Sequence, residues 1–220
     1  MRIVLLGPPG AGKGSLASLL QKRLGVHHVS TGDIFRQEIA RRSLLGRRVQ
    51  RYVTSGRLVP DALVVRVMAA RLSQAQLNHG MVWDGFPRTA GQAAGLDRVL
   101  KRRRRPLDGA VVLQAPLTLL VARLSGRRVC PRCGANYHVR TMKPKRSGCC
   151  DRCRTRLITR KDDESRTIRK RLLIDRAASK PLLAYYRRRG VLYRINGAGR
   201  IEKVFARARL VFIRHGWLKG

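Results

Sequence analysis

Residues 7–15 read Gly-Pro-Pro-Gly-Ala-Gly-Lys-Gly-Ser, and they constrain this chain more than any other stretch. An apolar run, Ile3-Val4-Leu5-Leu6, precedes them, and Leu16, Leu19, Leu20 and Leu24 follow at helical spacing. A strand, a glycine-rich loop and a helix in that order make a phosphate-binding loop. Glycines let main-chain N–H groups turn toward an anion, the helix start adds partial positive charge, and Lys13 adds a full one. A chance glycine-rich turn is the plain alternative, and nine residues in register between strand and helix weigh against it.

The common Walker form places Ser or Thr directly after the Lys. Here Gly14 intervenes and the hydroxyl comes at Ser15. A loop of the form Gly-x-Pro-Gly-x-Gly-Lys-Gly-[Ser/Thr] resembles the nucleoside monophosphate kinases more than the GTPases or motor ATPases.

A length of 220 residues suits one α/β domain with small inserts. No run of 18 apolar residues exists, so no membrane span is expected. The chain enters its first strand at once, without a signal or transit segment, and the expected location is cytoplasmic. In that compartment the five cysteines read as thiols or metal ligands rather than disulfides. The charge is abnormal: 49 Lys plus Arg stand against 12 Asp plus Glu, a formal +37. Such a balance fits polyanion binding, and general drift toward Arg explains it equally well. The longest basic runs support the second reading. Lys101 to Arg105 is expected to end a helix before Pro106, and Arg187 to Arg189 another before Gly190. Cations there complement the helix dipole, and neither run carries interleaved aromatics.

Strand-like runs recur at 3–6, 26–29, 81–83, 109–113 and 191–195, with helical patterns between them. The alternation predicts an α/β fold: a parallel sheet with helices on both faces and ligands at the carboxyl ends of its strands. Residues 126–163 lack long periodicity and read as a small inserted module.

Three short motifs follow successive strands. Ser30-Thr31-Gly32-Asp33 closes the second, with Arg36 one turn into the next helix. Gly56-Arg57-Leu58-Val59-Pro60-Asp61 opens another helix. Asp84-Gly85-Phe86-Pro87-Arg88-Thr89 follows the third strand, with Gln92 one turn on. Asp84, a carboxylate at a strand end near a phosphate loop, is placed to hold Mg²⁺ or its waters, or simply to cap the turn.

Cys130-Pro131-Arg132-Cys133 and Cys150-Asp151-Arg152-Cys153 are two Cys-x-x-Cys knuckles sixteen residues apart. Four thiolates at this spacing suit a closed, structural Zn²⁺ site, which gives a short polar segment a reason to be ordered. Iron is a second all-sulfur candidate. Cys149 is read as a free thiol and His138 as a surface residue of the insert.

In family order these motifs, with Gly126-Arg127-Arg128 and Thr159-Arg160-Lys161-Asp162-Asp163, resemble the adenylate kinases of the long-lid bacterial type over nearly the whole chain. The resemblance implies a P-loop nucleoside triphosphate hydrolase-like core (1–29, 60–125 and 164–220), an AMP-binding segment (30–59) and a zinc-ribbon-like lid (126–163). It implies phosphoryl transfer from MgATP to AMP, giving two ADP, by a monomer. ATP phosphates would lie on Gly10, Ala11, Gly12, Lys13, Gly14 and Ser15, with Arg127, Asn136, Tyr137 and Gly199 completing the ATP site. AMP would meet Thr31, Arg36, Arg57, Leu58, Val59, Gly85, Phe86, Pro87, Arg88 and Gln92, with Arg160 and Arg171. Lys13, Arg88, Arg123, Arg127, Arg160 and Arg171 would surround the transferring group, and Asp84 would anchor the Mg²⁺ shell. Arginine is so abundant that any single Arg says little; four scarce acids, Asp33, Asp84, Asp162 and Asp163, fall inside the motifs and say more. The chain departs from the family at Ser15, where Thr is usual, and at Ser165-Arg166, where an acidic pair is common.

Two other readings remain at this level. One is a kinase for a different nucleoside monophosphate. The other is a basic, zinc-containing nucleic-acid-binding protein whose kinase activity is secondary.

Overall fold

Alternating apolar strands and amphipathic helices assemble as one parallel sheet. The computed structural model describes residues 1–72 and 74–218. The strands are β1 (Arg2–Leu6), β2 (His27–Ser30), β3 (Met81–Asp84), β4 (Gly109–Gln114), β5 (Arg127–Val129), β6 (Asn136–His138) and β7 (Leu192–Asn196). Between them run α1 (Lys13–Leu24), α2 (Thr31–Ala40), α3 (Leu44–Thr54), α4 (Asp61–Ala70), α5 (Gln74–His79), α6 (Ala90–Arg102), α7 (Leu117–Ser125), α8 (Ser165–Arg188) and α9 (Ile201–Arg214). A single 3-10 turn covers Lys161–Asp163.

The main sheet has the order β2-β3-β1-β4-β7, with every pairing parallel. Period two sorts its side chains onto two cores. Ile3, Leu5, Val82, Val111 and Leu113 face α1 and α9 and pack with Leu16, Leu20, Val204 and Phe212. Val4, Leu6, Trp83, Ala110 and Val112 face the other way and pack with Phe35, Met68, Leu96 and Tyr186. Both faces are covered, which is why these strands read as nearly continuous apolar runs. The strands predicted from sequence appear within a residue or two of their expected places.

The order also fixes where a ligand binds. From β1 the chain crosses to β2 on one side; after β3 it reaches β4 on the other. Connections leave β1 in opposite senses, and the crevice at its carboxyl end is the binding site of such a sheet. The glycine-rich loop lies at that end.

Two boundaries differ from expectation. Thr31 is already the first residue of α2, and only Ser30 of its motif belongs to the strand; the Ser30 side chain caps the helix by accepting from Asp33 N. Helix α6 ends at Arg102 rather than running to Arg105, because Arg104 takes a left-handed φ of 53° and Arg105 N returns to Leu100 O. That 6→1 bond closes the helix and releases the last cations from it.

Beyond α7 the chain leaves the core. Strands β5 and β6 pair antiparallel, Val129 bridges Ile158, and Cys149 bridges Arg156. The small interior of this insert is Cys130, Tyr137 and Cys150, with Cys153 and Leu157 against it. Such a core is too small to order the segment without a crosslink.

Candidate active site

The loop after β1 is shaped by glycines with a specific reason. Gly7 has φ 123°, and a Cβ there would lie 2.3 Å from Leu113 O on β4. Helix α1 then begins at Lys13, its N-cap Gly12 left-handed and without a side-chain cap. Its first N–H groups have no partner within the helix and point to the crevice. The Lys13 ammonium donates to Gly7 O at 2.5 Å and Pro8 O at 3.0 Å, curling over the loop. Burial lowers its pKa, Arg88 and Arg171 lower it further, and Asp84 and Asp175 oppose them. Lys13 therefore lies within electrostatic reach of both arginines.

Asp84 ends β3 in register with Leu5 and Ser30. Its Oδ2 lies 3.7 Å from His28 Nε2 and only 3.0 Å from where a Cβ on Gly14 would stand. Gly14 thus has a physical reason: it lets a carboxylate close on the start of α1. A carboxylate beside the phosphate loop fits a hydrated Mg²⁺, which favours one or two carboxylates and keeps its waters.

A cavity is lined by Thr31, Arg36, Arg57, Leu58, Val59, Gly85, Arg88, Gln92 and Arg171, singled out in the sequence, and by Phe35, Val53 and Val64, which were not. Gly85 O organises one wall, accepting from Thr31 Oγ1 at 2.8 Å and Arg88 Nε at 2.9 Å. Gln92 is buried; its Oε1 accepts from Arg88 N at 2.8 Å and its Nε2 donates to Asp61 Oδ1 at 2.9 Å. Thr89 Oγ1 donates to the other Asp61 oxygen. Phe86 and Pro87 are buried and do not line this cavity; Phe86 packs in the core.

Four guanidinium groups, those of Arg36, Arg127, Arg160 and Arg171, and three carboxylates form one network at the cavity. Arg127 Nε donates to Asp163 Oδ2 at 2.6 Å, and Arg171 Nη1 donates to Asp163 Oδ1 at 2.9 Å. Arg171 also lies 3.1 Å from Asp162 Oδ2, and Arg36 lies 4.0 Å from the same oxygen. Arg36 Nη2 donates to Asp33 Oδ1 at 2.6 Å. Burial opposes the Asp162 charge, yet Arg171, Arg36, Arg127 and Arg160 together hold its pKa below the ordinary value. Arg160 is the least satisfied member. It donates to Asn136 Oδ1 at 3.0 Å, but its Nε is buried without a partner, and burial with neighbouring Arg36 and Arg127 pushes its pKa down to about 10. Positive charge in excess, with an orphaned donor, is an anion site.

Two expected residues stand elsewhere. Arg123 does not join the four. Its Nη1 donates to Gly197 O and its Nη2 to Gly199 O, each at 3.0 Å, with Gly10 O and Ala11 O at 3.4 and 3.5 Å. It ties the phosphate loop to the 196–199 loop. The Tyr137 ring is buried in the insert, its hydroxyl accepting from Asp151 N at 2.7 Å and lying 3.5 Å from Cys150 Sγ.

The four knuckle sulfurs lie within 4.8 Å of one another, Cys130 to Cys153 at 3.3 Å and Cys133 to Cys150 at 3.4 Å. Zinc–sulfur bonds of about 2.3 Å in a tetrahedron set sulfurs roughly 3.8 Å apart. The residues therefore fit the metal. The Tyr137 hydroxyl and the N–H groups of Cys153 and Arg152 hold the Cys150 thiol down to about 6 against its burial. Cys149 lies outside the cluster. His138 Nδ1 accepts from Arg140 N and Thr141 N, so this ring braces the base of the insert.

Sequence reasoning missed three contributors. Asp175 faces Lys13, Arg88 and Arg171, and burial raises its pKa. It is a scarce acid four residues after Arg171 on one helix face, and that spacing was the available signal. Arg207 Nη1 donates to Asn196 O and Ala198 O, both at 2.8 Å, and fixes the 196–199 loop. No local signal marks it among so many arginines. His28, beside Asp84, has a buried Nε2 without a hydrogen bond.

A family model described as adenylate kinase matches residues 5–191. An adenylate kinase of Clostridium botulinum strain 657 is 43% identical over 205 residues, covering 93% of this chain and 95% of the relative. That of Clostridium kluyveri strain ATCC 8527 is 42% identical over 209 residues, 95% and 96% of the two chains. That of Clostridium tetani strain Massachusetts is 41% identical over 205 residues, 93% and 95%. A glycine-rich loop at the switch point and an arginine-lined cavity agree with those matches over nearly the full length, and the chain belongs to the adenylate kinase family.

Proposed function

We propose that the protein transfers the terminal phosphoryl group of MgATP to AMP, giving two ADP. The observation that carries the proposal is the buried, unpartnered Nε of Arg160 in a cationic cluster between the phosphate loop and the Thr31–Gln92 cavity. Phosphoryl transfer needs little covalent chemistry; it needs two anions held in line with their repulsion cancelled.

In this reading the main chain of residues 10–15 and Lys13 cradle the donor phosphates, and Lys13 exchanges Gly7 O and Pro8 O for phosphate oxygens. Arg36 and Arg88 bind the acceptor phosphate, and Arg127, Arg160 and Arg171 cover the group in flight. Planar guanidinium forks do this bidentately, which Lys does not. Thr31, Arg57, Leu58, Val59, Gly85 and Gln92 shape the acceptor site, while Gly199, anchored by Arg123, lies at the donor base. Asp84 holds the waters of Mg²⁺, which when bound neutralises charge on the donor phosphates.

Segments 30–59 and 126–163 are the moving parts. Asp33 and Arg160 sit on opposite sides of the gap they close, and Asn136 and Asp162 lie at the lid base. Closure expels water and keeps the phosphoryl group from hydrolysis. The four cysteines hold a structural Zn²⁺ that keeps the lid rigid. A coupled assay for ADP tests the reading: activity requires AMP, ATP and Mg²⁺ together, and no turnover with AMP and any nucleoside triphosphate overturns it.

A further inference from the structure

Residues 132–156, the outer part of the insert, carry eight Lys and Arg and a single acid, Asp151. That is +7 over 25 residues against +30 over the other 195, about twice the density of a chain already rich in cations. All eight cations are exposed, and among the described residues none of their side chains donates a hydrogen bond or forms an ion pair. Other arginines have structural work. Arg105 donates to Asn78, Arg189 pairs with Asp97, and the catalytic cluster is matched to Asp33, Asp162 and Asp163. This outer part spends its one acid internally, Asp151 accepting from Lys145 N at 2.8 Å. Like charges this dense repel one another, and nothing within the described residues offsets them.

The cations are also pre-positioned. Arg132 and Arg152 each precede the second cysteine of a knuckle, so the two knuckles present equivalent guanidinium groups. Arg154 follows in a left-handed turn, its N–H bound to Cys150 O at 2.8 Å. Lys143, Lys145 and Arg146 lie on the loop that Asp151 pins. Rigid placement lowers the entropy cost of binding.

We propose that this face of the insert binds double-helical nucleic acid through its phosphodiester backbone, independently of sequence. Charge complementarity selects a polyanion, and planar guanidinium forks suit phosphates. The insert's one large aromatic side chain, Tyr137, is buried, which leaves no platform for stacking single-strand bases. Its described structure is strands and turns without an amphipathic helix, and its exposed apolar side chains, Val139, Met142 and Ile158, are too few to bury in a lipid surface. The inference does not depend on the phosphoryl-transfer reading.

The test is fluorescence anisotropy of a labelled 24-base-pair duplex titrated with zinc-loaded protein from low to physiological salt. Three comparators accompany it: the same strand unpaired, anionic lipid vesicles, and the duplex with variant proteins. A lid variant with Lys143, Lys145, Arg146, Arg152 and Arg154 changed to Gln is expected to lose at least about tenfold in affinity. Its salt slope should flatten by about 0.9 per phosphate contact removed. A matched variant with Lys101, Arg102, Arg103 and Arg104 changed to Gln is expected to lose less than about threefold. Metal content and the thermal melting midpoint report that each variant is folded. Should the five-fold variant lose its metal, Lys143→Gln with Lys145→Gln, outside the knuckles, is expected to flatten the slope by about two contacts. Equal losses in the lid and control variants, no duplex binding at physiological salt, or tighter binding to the single strand or to vesicles would overturn the proposal.

Discussion

Arg160 reaches toward Asp33 across the mouth of the site, its Nη2 3.8 Å from Asp33 Oδ1, while its own Nε stays buried and unpaired. The guanidinium therefore has one hand on the 30–59 segment and one free for an anion. Arg160→Lys keeps a charge but loses the fork. It is expected to lower kcat/KM by at least about 100-fold, or ~2.7 kcal/mol of transition-state stabilisation. Steady-state kinetics read it, and a change confined to stability with kinetics intact would refute the assigned role.

Asp162 sits among Arg171, Arg36, Arg127 and Arg160, with its pKa held below that of a free carboxylate despite burial. The sign follows from linkage. A carboxylate with a depressed folded-state pKa contributes stability above its unfolded pKa, and loses it as pH falls through the folded value. Asp162→Asn is expected to cost about 1–3 kcal/mol at neutral pH, because it removes one of the two carboxylates that offset buried Arg171, which keeps Asp163. The gap from the parent should narrow below about pH 4. Thermal melts of both proteins from pH 7 to pH 3 measure it.

Gly14 and Asp84 make a prediction that separates stability from activity. Alanine at 14 puts a Cβ 3.0 Å from Asp84 Oδ2. Within α1 the change favours the helix by about 1 kcal/mol. Gly14→Ala is therefore expected to keep or raise the melting temperature while raising the Mg²⁺ needed for half-maximal rate by about tenfold. An unchanged Mg²⁺ requirement would remove Asp84 from the metal role.

Adjacent cysteines give an internal control for the lid metal. Cys150 is in the sulfur cluster and Cys149 is not. The parent and Cys149→Ser are each expected to bind one equivalent of zinc, and Cys150→Ser to lose it with the order of the lid. Structural zinc sites contribute on the order of 10 kcal/mol. Chelation of the parent should therefore mimic Cys150→Ser. Metal analysis with melts resolves the pair.

Much of this was legible in the chain because local rules and global fold agree. The runs at 3–6, 81–83 and 109–113 are buried on both faces and so carry a strong apolar signal. Thr31, Gly85, Arg88 and Gln92 line the cavity from short motifs at the ends of β2 and β3, whereas the Gly56–Val59 motif, expected after a strand, lies between α3 and α4. The partners of Arg123 were hidden for the opposite reason. Its partners are main-chain carbonyls at Gly10 and Gly197, distant in sequence, and no pattern reveals a carbonyl that needs a donor. Tyr137 sits in a strand of three residues whose order comes from sulfur geometry, so periodicity had nothing to read there. Helix α6 ends early because Arg104 adopts a left-handed φ, a choice that ordinary propensities give to Gly or Asn.

The central claim is tested most directly by the acceptor. Zinc-loaded protein is supplied with MgATP and, in turn, AMP, GMP, UMP or CMP, and the nucleotides are resolved by chromatography. Two ADP per AMP consumed, with AMP preferred by at least about 100-fold in kcat/KM, is the predicted result. No ADP from AMP and ATP, or a preference for a pyrimidine monophosphate, would contradict it.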